Sequence, residues 1–265
     1  MTSINKAPES PEDTMQRVLL YGLRISGVRI GCDLKIFNIL SSNNTMTITQ
    51  LAIESHSDPI LLRRICRYLS SINMIKETQK DTFAATNVTR VLSDPGVQAG
   101  VYHYFDNAGP GYQALPDFLK ENAYQNVTDN TKTAFHKAFP DAAGAPGFVW
   151  MLKYPQRFGY FNQWMATQRK GMQTWLDVYP IGEETKSLRA EDDLVVFVDV
   201  GGGLGHQANA FKSKYPNLEG RVVLQDLPFV LERAVAKPDI EVMGHDFFKP
   251  QPIKGLSNTA LSFEQ

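Results

Sequence analysis

The chain has 265 residues, 43% of them hydrophobic, and a formal net charge of −1, enough for one large domain or two modest ones with real cores. That near-neutral balance argues against a protein built mainly to grip nucleic acid or an anionic membrane, because either partner favours a strongly basic face. Cys32 and Cys66 are the only cysteines, too few for a zinc cluster or a disulfide framework, so neither a metal site nor a secreted scaffold is expected.

Residues 1–14 are polar and acidic, without the apolar stretch of a signal sequence, and the longest apolar run, 194–198, is far too short to span a bilayer. A cytosolic protein with two buried, reduced thiols is the expectation. Between 15 and 40, Val18, Leu23, Ile25, Val28 and Leu34 recur at helical spacing around Gly22, Gly27 and Gly31, which predicts two abutting helices packed closely at the glycines. Thr47 stands three positions before Gln50 as a capping box for a helix over 48–55, and Asp58-Pro59 starts another. In the latter, Leu61, Leu62, Ile65, Leu69 and Ile72 share a face and Arg63, Arg64 and Arg67 fall largely on the opposite one. Such arginines read as a solvated face, with DNA contact as the less favoured alternative. Strand-like pieces at 74–77 and 82–85 flank a polar turn, and helices followed by a small hairpin predict a winged helix.

From 97 to 180 the pattern stays helical but is interrupted at Gly109-Pro110-Gly111, Pro116, Pro140 and 144–147. Phe158, Phe161, Met165, Met172 and Trp175 line up at helical intervals over 158–176, a stripe that reads first as core. The period then changes. Leu194-Val195-Val196-Phe197-Val198 is a continuous apolar run ending in Asp199, the pattern of a strand buried on both faces of a parallel sheet. Helices over 208–215 and 228–236 alternate with strands over 221–225 and 240–243, which predicts a Rossmann-like unit.

Gly201, Gly203 and Gly205 sit on the turn out of the first strand, where bare backbone lets a ligand approach. The dinucleotide spacing G-x-G-x-x-G would place its third glycine at His206, so NAD fits poorly. The spacing G-x-G-x-G preceded by the acidic Asp199 suits the amino acid portion of S-adenosylmethionine (SAM). Asp226 follows the next strand at about the 20-residue distance at which a Rossmann carboxylate reaches ribose hydroxyls, with Leu227 beside it for the adenine face. After the third strand, Asp246 could accept the adenine amine and Phe247 could stack on the base.

Val198-Asp199-Val200-Gly201-Gly202-Gly203-Leu204-Gly205, Gln225-Asp226-Leu227-Pro228 and Gly244-His245-Asp246-Phe247-Phe248 resemble three successive motifs of the fungal and plant-type SAM-dependent small-molecule O-methyltransferases. Phe83-Ala84-Ala85-Thr86 resembles the end of that family's dimerisation domain, and Gln168-Arg169-Lys170-Gly171 with Trp175-Leu176-Asp177 its interdomain segment. The resemblance implies an α/β protein. An N-terminal all-α winged-helix dimerisation domain over 1–96 would be followed by a helical connecting and substrate-lining region over 97–185 and an incomplete Rossmann-like class I methyltransferase domain over 186–265. It further implies homodimers, a hydroxylated small-molecule substrate held between the domains, and no nucleic-acid or membrane partner. Gly201, Gly203, Asp226, Leu227, Asp246 and Phe247 become SAM contacts, joining Asp199, and Phe161 and Met165 become pocket-lining residues.

In the family a later His-Asp-Trp sequence supplies the histidine that deprotonates the substrate hydroxyl. His56, His103, His136, His206 and His245 all lie outside such a motif, so no catalytic base is expected among them. The expected picture is a C-terminally truncated member, with a non-methylating SAM binder or a non-catalytic dimer partner as alternatives. Residues 194–198 would then form an exposed edge with wet side chains, leaving the chain marginal, prone to aggregate, or completed by a dimer mate or another polypeptide.

Overall fold

The computed structural model describes residues 10–168, 171–181 and 194–253. Residues 1–9, the Arg169-Lys170 pair, the expected boundary at 185/186 and residues 254–265 lie outside them. The chain forms two compact units, Met1–Lys170 and Gly171–Gln265.

The first unit opens with three helices where two are predicted: α1 (Pro11–Leu19), α2 (Tyr21–Asp33) and α3 (Ile36–Asn43). The break between α2 and α3 falls at Lys35, whose φ of 54° is left-handed, and the glycines lie inside α2 instead of ending it. Their role is close approach. A side chain at Gly27 would begin 2.7 Å from Tyr68 Cε1 and one at Gly31 2.7 Å from Phe37 Cζ, whereas Gly22 faces open space.

α4 (Ile48–Glu54) and α5 (Pro59–Ser71) begin where their caps predict: Gln50 N–H donates to Thr47 Oγ1 at 3.4 Å and Leu61 N–H to Asp58 Oδ1 at 2.8 Å. α5 buries Leu62, Cys66 and Leu69 and leaves Leu61 exposed. The hairpin of β2 (Lys76–Gln79) and β3 (Thr82–Ala84) gains an unpredicted third strand, β1 (Thr45–Thr47), antiparallel to β3. Arg63 Nε pairs with Asp81 of the wing at 2.8 Å, and Arg67 Nε approaches Glu77 at 3.6 Å. These two arginines thus face acidic partners in the same unit. Ile36, Phe37, Leu40, Leu51, Leu62 and Phe83 form the core of this winged helix.

Residues 97–168 pack with the same unit. α7 (Pro95–Tyr102), counted after α6 (Asn87–Leu92), runs into a π-helical turn, His103–Ala108, and on into α8 (Gly109–Glu121). The predicted break at Gly109-Pro110-Gly111 is therefore a helix start, since Pro110 occupies the first turn where no intrahelical N–H is required. α9 (Ala134–Ala138), α10 (Gly147–Met151) and α11 (Pro155–Thr167) follow. α11 lies along α7 so closely that a side chain at Gly100 would begin 2.5 Å from Trp164 Cε3. Trp150 anchors a small aromatic core with Phe135, Phe139 and Phe158. The stripe predicted across 158–176 is divided. α11 ends at Thr167, Gly171 takes a φ of 77°, Met172 is exposed, and Trp175 opens α12 (Trp175–Val178) in the second unit.

The second unit carries a parallel sheet in the order β4 (Val195–Val200), β5 (Arg221–Asp226), β6 (Ile240–Gly244). The helix His206–Lys214 follows β4, and a short helix, Pro228–Leu231, replaces the longer one predicted over 228–236. Among the described residues β4 pairs with β5 alone. Its side chains are not wet, contrary to expectation: Val196, Phe197 and Val198 are buried, with Phe197 centred 5.2 Å from Trp175 and 4.7 Å from Phe211. Trp175 and Phe211 cover the face that carries Phe197, and Val196 and Val198 on the other face are buried too, so among the described residues it is the backbone of β4 that lacks a second strand.

Gly100→Val is expected to destabilise the first unit by about 1–3 kcal/mol, as overpacking does. Gly159→Ala on the facing helix, where an added Cβ meets nothing within 4 Å, is expected to stabilise by about 0.5–1 kcal/mol. Urea unfolding of the two variants beside the parent chain measures both.

Candidate functional site

Parallel strands in register place the residues beyond their carboxyl ends in one row. Val200 of β4 stands opposite Gln225 of β5, and Asp226 stands opposite Gly244 of β6. The three predicted motifs therefore share one edge of the sheet.

The glycine turn between β4 and the helix His206–Lys214 uses left-handed φ values of 69° at Gly201, 59° at Gly203 and 88° at Gly205, a conformation that glycine adopts without steric cost. Gly202, not singled out from the sequence, is needed for a different reason: a side chain there would start 2.5 Å from Asp199 Cγ. One at Gly203 would meet no heavy atom within 4 Å. The turn is thus tight beneath and open above, the shape of a cradle.

Asp226 ties this turn to the second strand. Its Oδ2 accepts the Gly203 N–H at 2.8 Å and its Oδ1 accepts the Leu227 N–H at 2.7 Å. An ionised carboxylate offers about four lone-pair sites, so each oxygen keeps room for a ligand hydroxyl. The Asp226 carbonyl accepts the His245 N–H at 2.9 Å, which fixes the start of the third loop. In that loop the ring of Phe247, 57% exposed, lies 3.9 Å from where a Gly201 side chain would begin. Asp246 Oδ1 accepts the Phe248 N–H at 3.1 Å and so caps its own turn. Leu227 is half-buried at the cap of the helix Pro228–Leu231.

Asp199 is 8% exposed, and its Oδ2 accepts the Ala208 N–H at 3.0 Å. Burial pushes its carboxyl up to about 6, with the neighbouring Asp226 charge adding to the shift and the Ala208 bond opposing it. Among the described residues no cation pairs with it. Gln225, fully buried just before Asp226, exchanges two bonds of 2.8 Å with Gln251. The pair clamps the segment after Phe248 to the sheet. A glutamine ending the apolar run Val222-Val223-Leu224 was its sequence signal, since a buried amide must find a partner.

Glycines that admit a ligand, carboxylates at two depths and an exposed aromatic ring fit the amino acid, ribose and base of SAM. Among the described residues no three metal-ligating side chains cluster, and no helix is long and apolar enough to cross a membrane. Phe161 and Met165 belong to the first unit. Phe161 packs on Phe148, Phe158 and His103, while Met165 sulfur accepts from Gln168 Nε2 at 3.2 Å.

The profile of the O-methyltransferase dimerisation domain matches residues 19–94, and that of the O-methyltransferase domain matches residues 124–255. The 16-O-methyltransferase bsc6 of Alternaria brassicicola is 36% identical over 93% of this chain and 62% of its own length. Among solved structures, one described as a pericyclic reaction enzyme superposes with a TM-score of 0.81 at 37% identity, over 93% of this chain and 64% of that one. LepI in complex with SAM superposes with a TM-score of 0.80 at 37% identity, over 93% of this chain and 63% of that one. The chain therefore spans less than two thirds of the length of these relatives. An N-terminal winged helix that matches the dimerisation profile, joined to a Rossmann-like unit whose glycine turn and strand-end aspartates meet along one sheet edge, is the family's architecture, and the chain belongs to the O-methyltransferase family.

Proposed function

We propose that this chain binds SAM and serves O-methyl transfer to a hydroxylated aromatic or enolic secondary metabolite, as a cytosolic homodimer. The observation that carries the reading is the meeting of Gly203 with Asp226 and of Gly201 with Phe247. The dimerisation profile supports the homodimer, and two buried free thiols suit a reducing compartment.

In this reading Asp199 and the glycine turn over Gly201 and Gly203 hold the amino acid end of the cofactor. Asp226 accepts the ribose hydroxyls, Leu227 and Phe247 flank the adenine, and Asp246 accepts its amine. When bound, SAM supplies an electrophilic methyl group and a permanent sulfonium charge. What the chain contributes is proximity: the reacting groups meet in a fixed geometry rather than by diffusion. Phe161 and Met165 are assigned to the substrate side. No residue of this chain is assigned as the general base.

A second reading, SAM binding without methyl transfer, is favoured by the likeness to a pericyclic reaction enzyme. Methyl-labelled SAM incubated with phenolic and enolic substrates separates the two. Label in the product supports methylation, and unlabelled, isomerised product supports the alternative.

Asp226→Asn is expected to weaken SAM binding about tenfold to a hundredfold, because charge-assisted bonds worth roughly 1.5–3 kcal/mol are lost. Titration calorimetry measures this, and unchanged affinity would remove Asp226 from the site. For Asp199, a folded value of about 6 against an ordinary 3.8 means that burial destabilises the ligand-free protein fully above pH 6 and ceases to do so below 3.8. Binding of a cationic ammonium favours the ionised carboxylate, so wild-type affinity should fall as pH drops below about 6. Asp199→Asn should flatten that profile, weaken SAM binding at about pH 8, and leave Tm there unchanged or higher. A lowered Tm with normal SAM affinity would contradict the assignment.

A further inference from the structure

Arg29, on α2, holds three partners at once. One arm of its guanidinium pairs with Asp33, a turn further along α2, and Nη2 lies 3.3 Å from Asp106 Oδ2, inside the π-helical turn His103–Ala108. Its Cζ lies 4.0 Å above the centre of the Tyr102 ring, and that ring stacks on Tyr160 of α11 at 4.7 Å and 21°. The Tyr102 hydroxyl donates to Asp33 Oδ1 at 3.3 Å, and Gln156 Nε2 donates to the Tyr160 hydroxyl at 2.9 Å. Burial, with the Asp33 charge adding to it, pushes the Tyr102 hydroxyl up to about 12, so it stays a donor. A planar guanidinium can serve two carboxylates along its edge and a ring on its face together, which a compact ammonium cannot.

Asp106 is gripped from the other side as well. In a regular α-helix its carbonyl would accept the N–H of residue 110, but Pro110 has none. Arg157 Nη1 of α11 donates to that carbonyl instead, at 2.7 Å. The carboxylate of Asp106 is thus held from α2 and its carbonyl from α11. Arg29 lies within the segment that matches the dimerisation profile, Tyr160 within the one that matches the methyltransferase profile, and Asp106 between the two. Phe161, assigned to the substrate side, follows Tyr160 directly.

We propose that Arg29 is a positioning residue for the substrate wall. It acts through Asp106 on the π turn and through the Tyr102–Tyr160 stack on α11, and so fixes the ring of Phe161. The inference rests on the reading of Phe161 as substrate-lining and adds what holds it in place.

The full chain labelled with 4-fluorophenylalanine tests this, with Phe161→Leu assigning the Phe161 fluorine signal and 1-naphthol as the planar probe. Arg29→Met and Arg29→Lys are both expected to displace the Phe161 signal and to weaken 1-naphthol binding about tenfold. SAM affinity, read by calorimetry, should stay at the wild-type value. Arg64→Met, at an exposed arginine of α5, should leave the signal and the binding unmoved. A Phe161 signal that stays in place in both Arg29 variants would overturn the proposal, as would one that the lysine restores in full or one that Arg64→Met moves equally. In the wild-type chain, 15N-labelled arginine should show the Arg29 guanidinium held against rotation, and a freely rotating one would overturn the proposal whether or not the variants fold. A wild-type chain that binds neither SAM nor 1-naphthol defeats the methyltransferase reading, whereas normal binding of both with an unmoved Phe161 signal defeats only this inference.

Discussion

The bond from the Gly203 amide to the Asp226 carboxylate, 2.8 Å long, joins two loops from neighbouring strands and sets the shape of the site. It orients the open face of the glycine turn and holds a negative charge beside it. The same aspartate receives His245 through its carbonyl, so the third loop is hung from the second. One residue thus organises all three loops, and it can do so because parallel strands in register deliver their ends side by side.

Asp199 shows the opposite side of such organisation. Among the described residues its buried carboxylate accepts from the Ala208 amide alone and meets no cation, an unfavourable state for a buried charge. Functional sites commonly retain such unfavourable groups because the ligand relieves them. The neighbouring Gly202 cannot be enlarged without striking Asp199, so the burial of the carboxylate and the tightness of the turn are one constraint.

Much of this was legible in the sequence. Thr47 with Gln50 and Asp58 with Pro59 announced their helices because capping is local chemistry, settled within four residues. The strand ending at Asp199 was readable because an apolar run buried on both faces has no helical period. What failed depended on distant partners. The close packing expected at Gly27 and Gly31 is present, against Tyr68 and Phe37, but these glycines lie inside α2 and do not mark the break between helices. The spacing from Phe158 to Trp175 continued by coincidence across Gly171, whose left-handed φ ends any helix. β1 gave no signal because three residues are too few to show a period of their own, and the strand is defined by its pairing with β3.

The π turn at His103–Ala108 has a consequence for how this segment can drift over generations. Such a turn accommodates one residue more than a regular α turn. Deleting one residue there would let a regular helix close while α8 kept its facing, because the wide turn already absorbs the extra residue. The turn is therefore the place where this segment can lose a residue, whereas the same gap inside α8 would turn everything beyond it by about 100° about the helix axis.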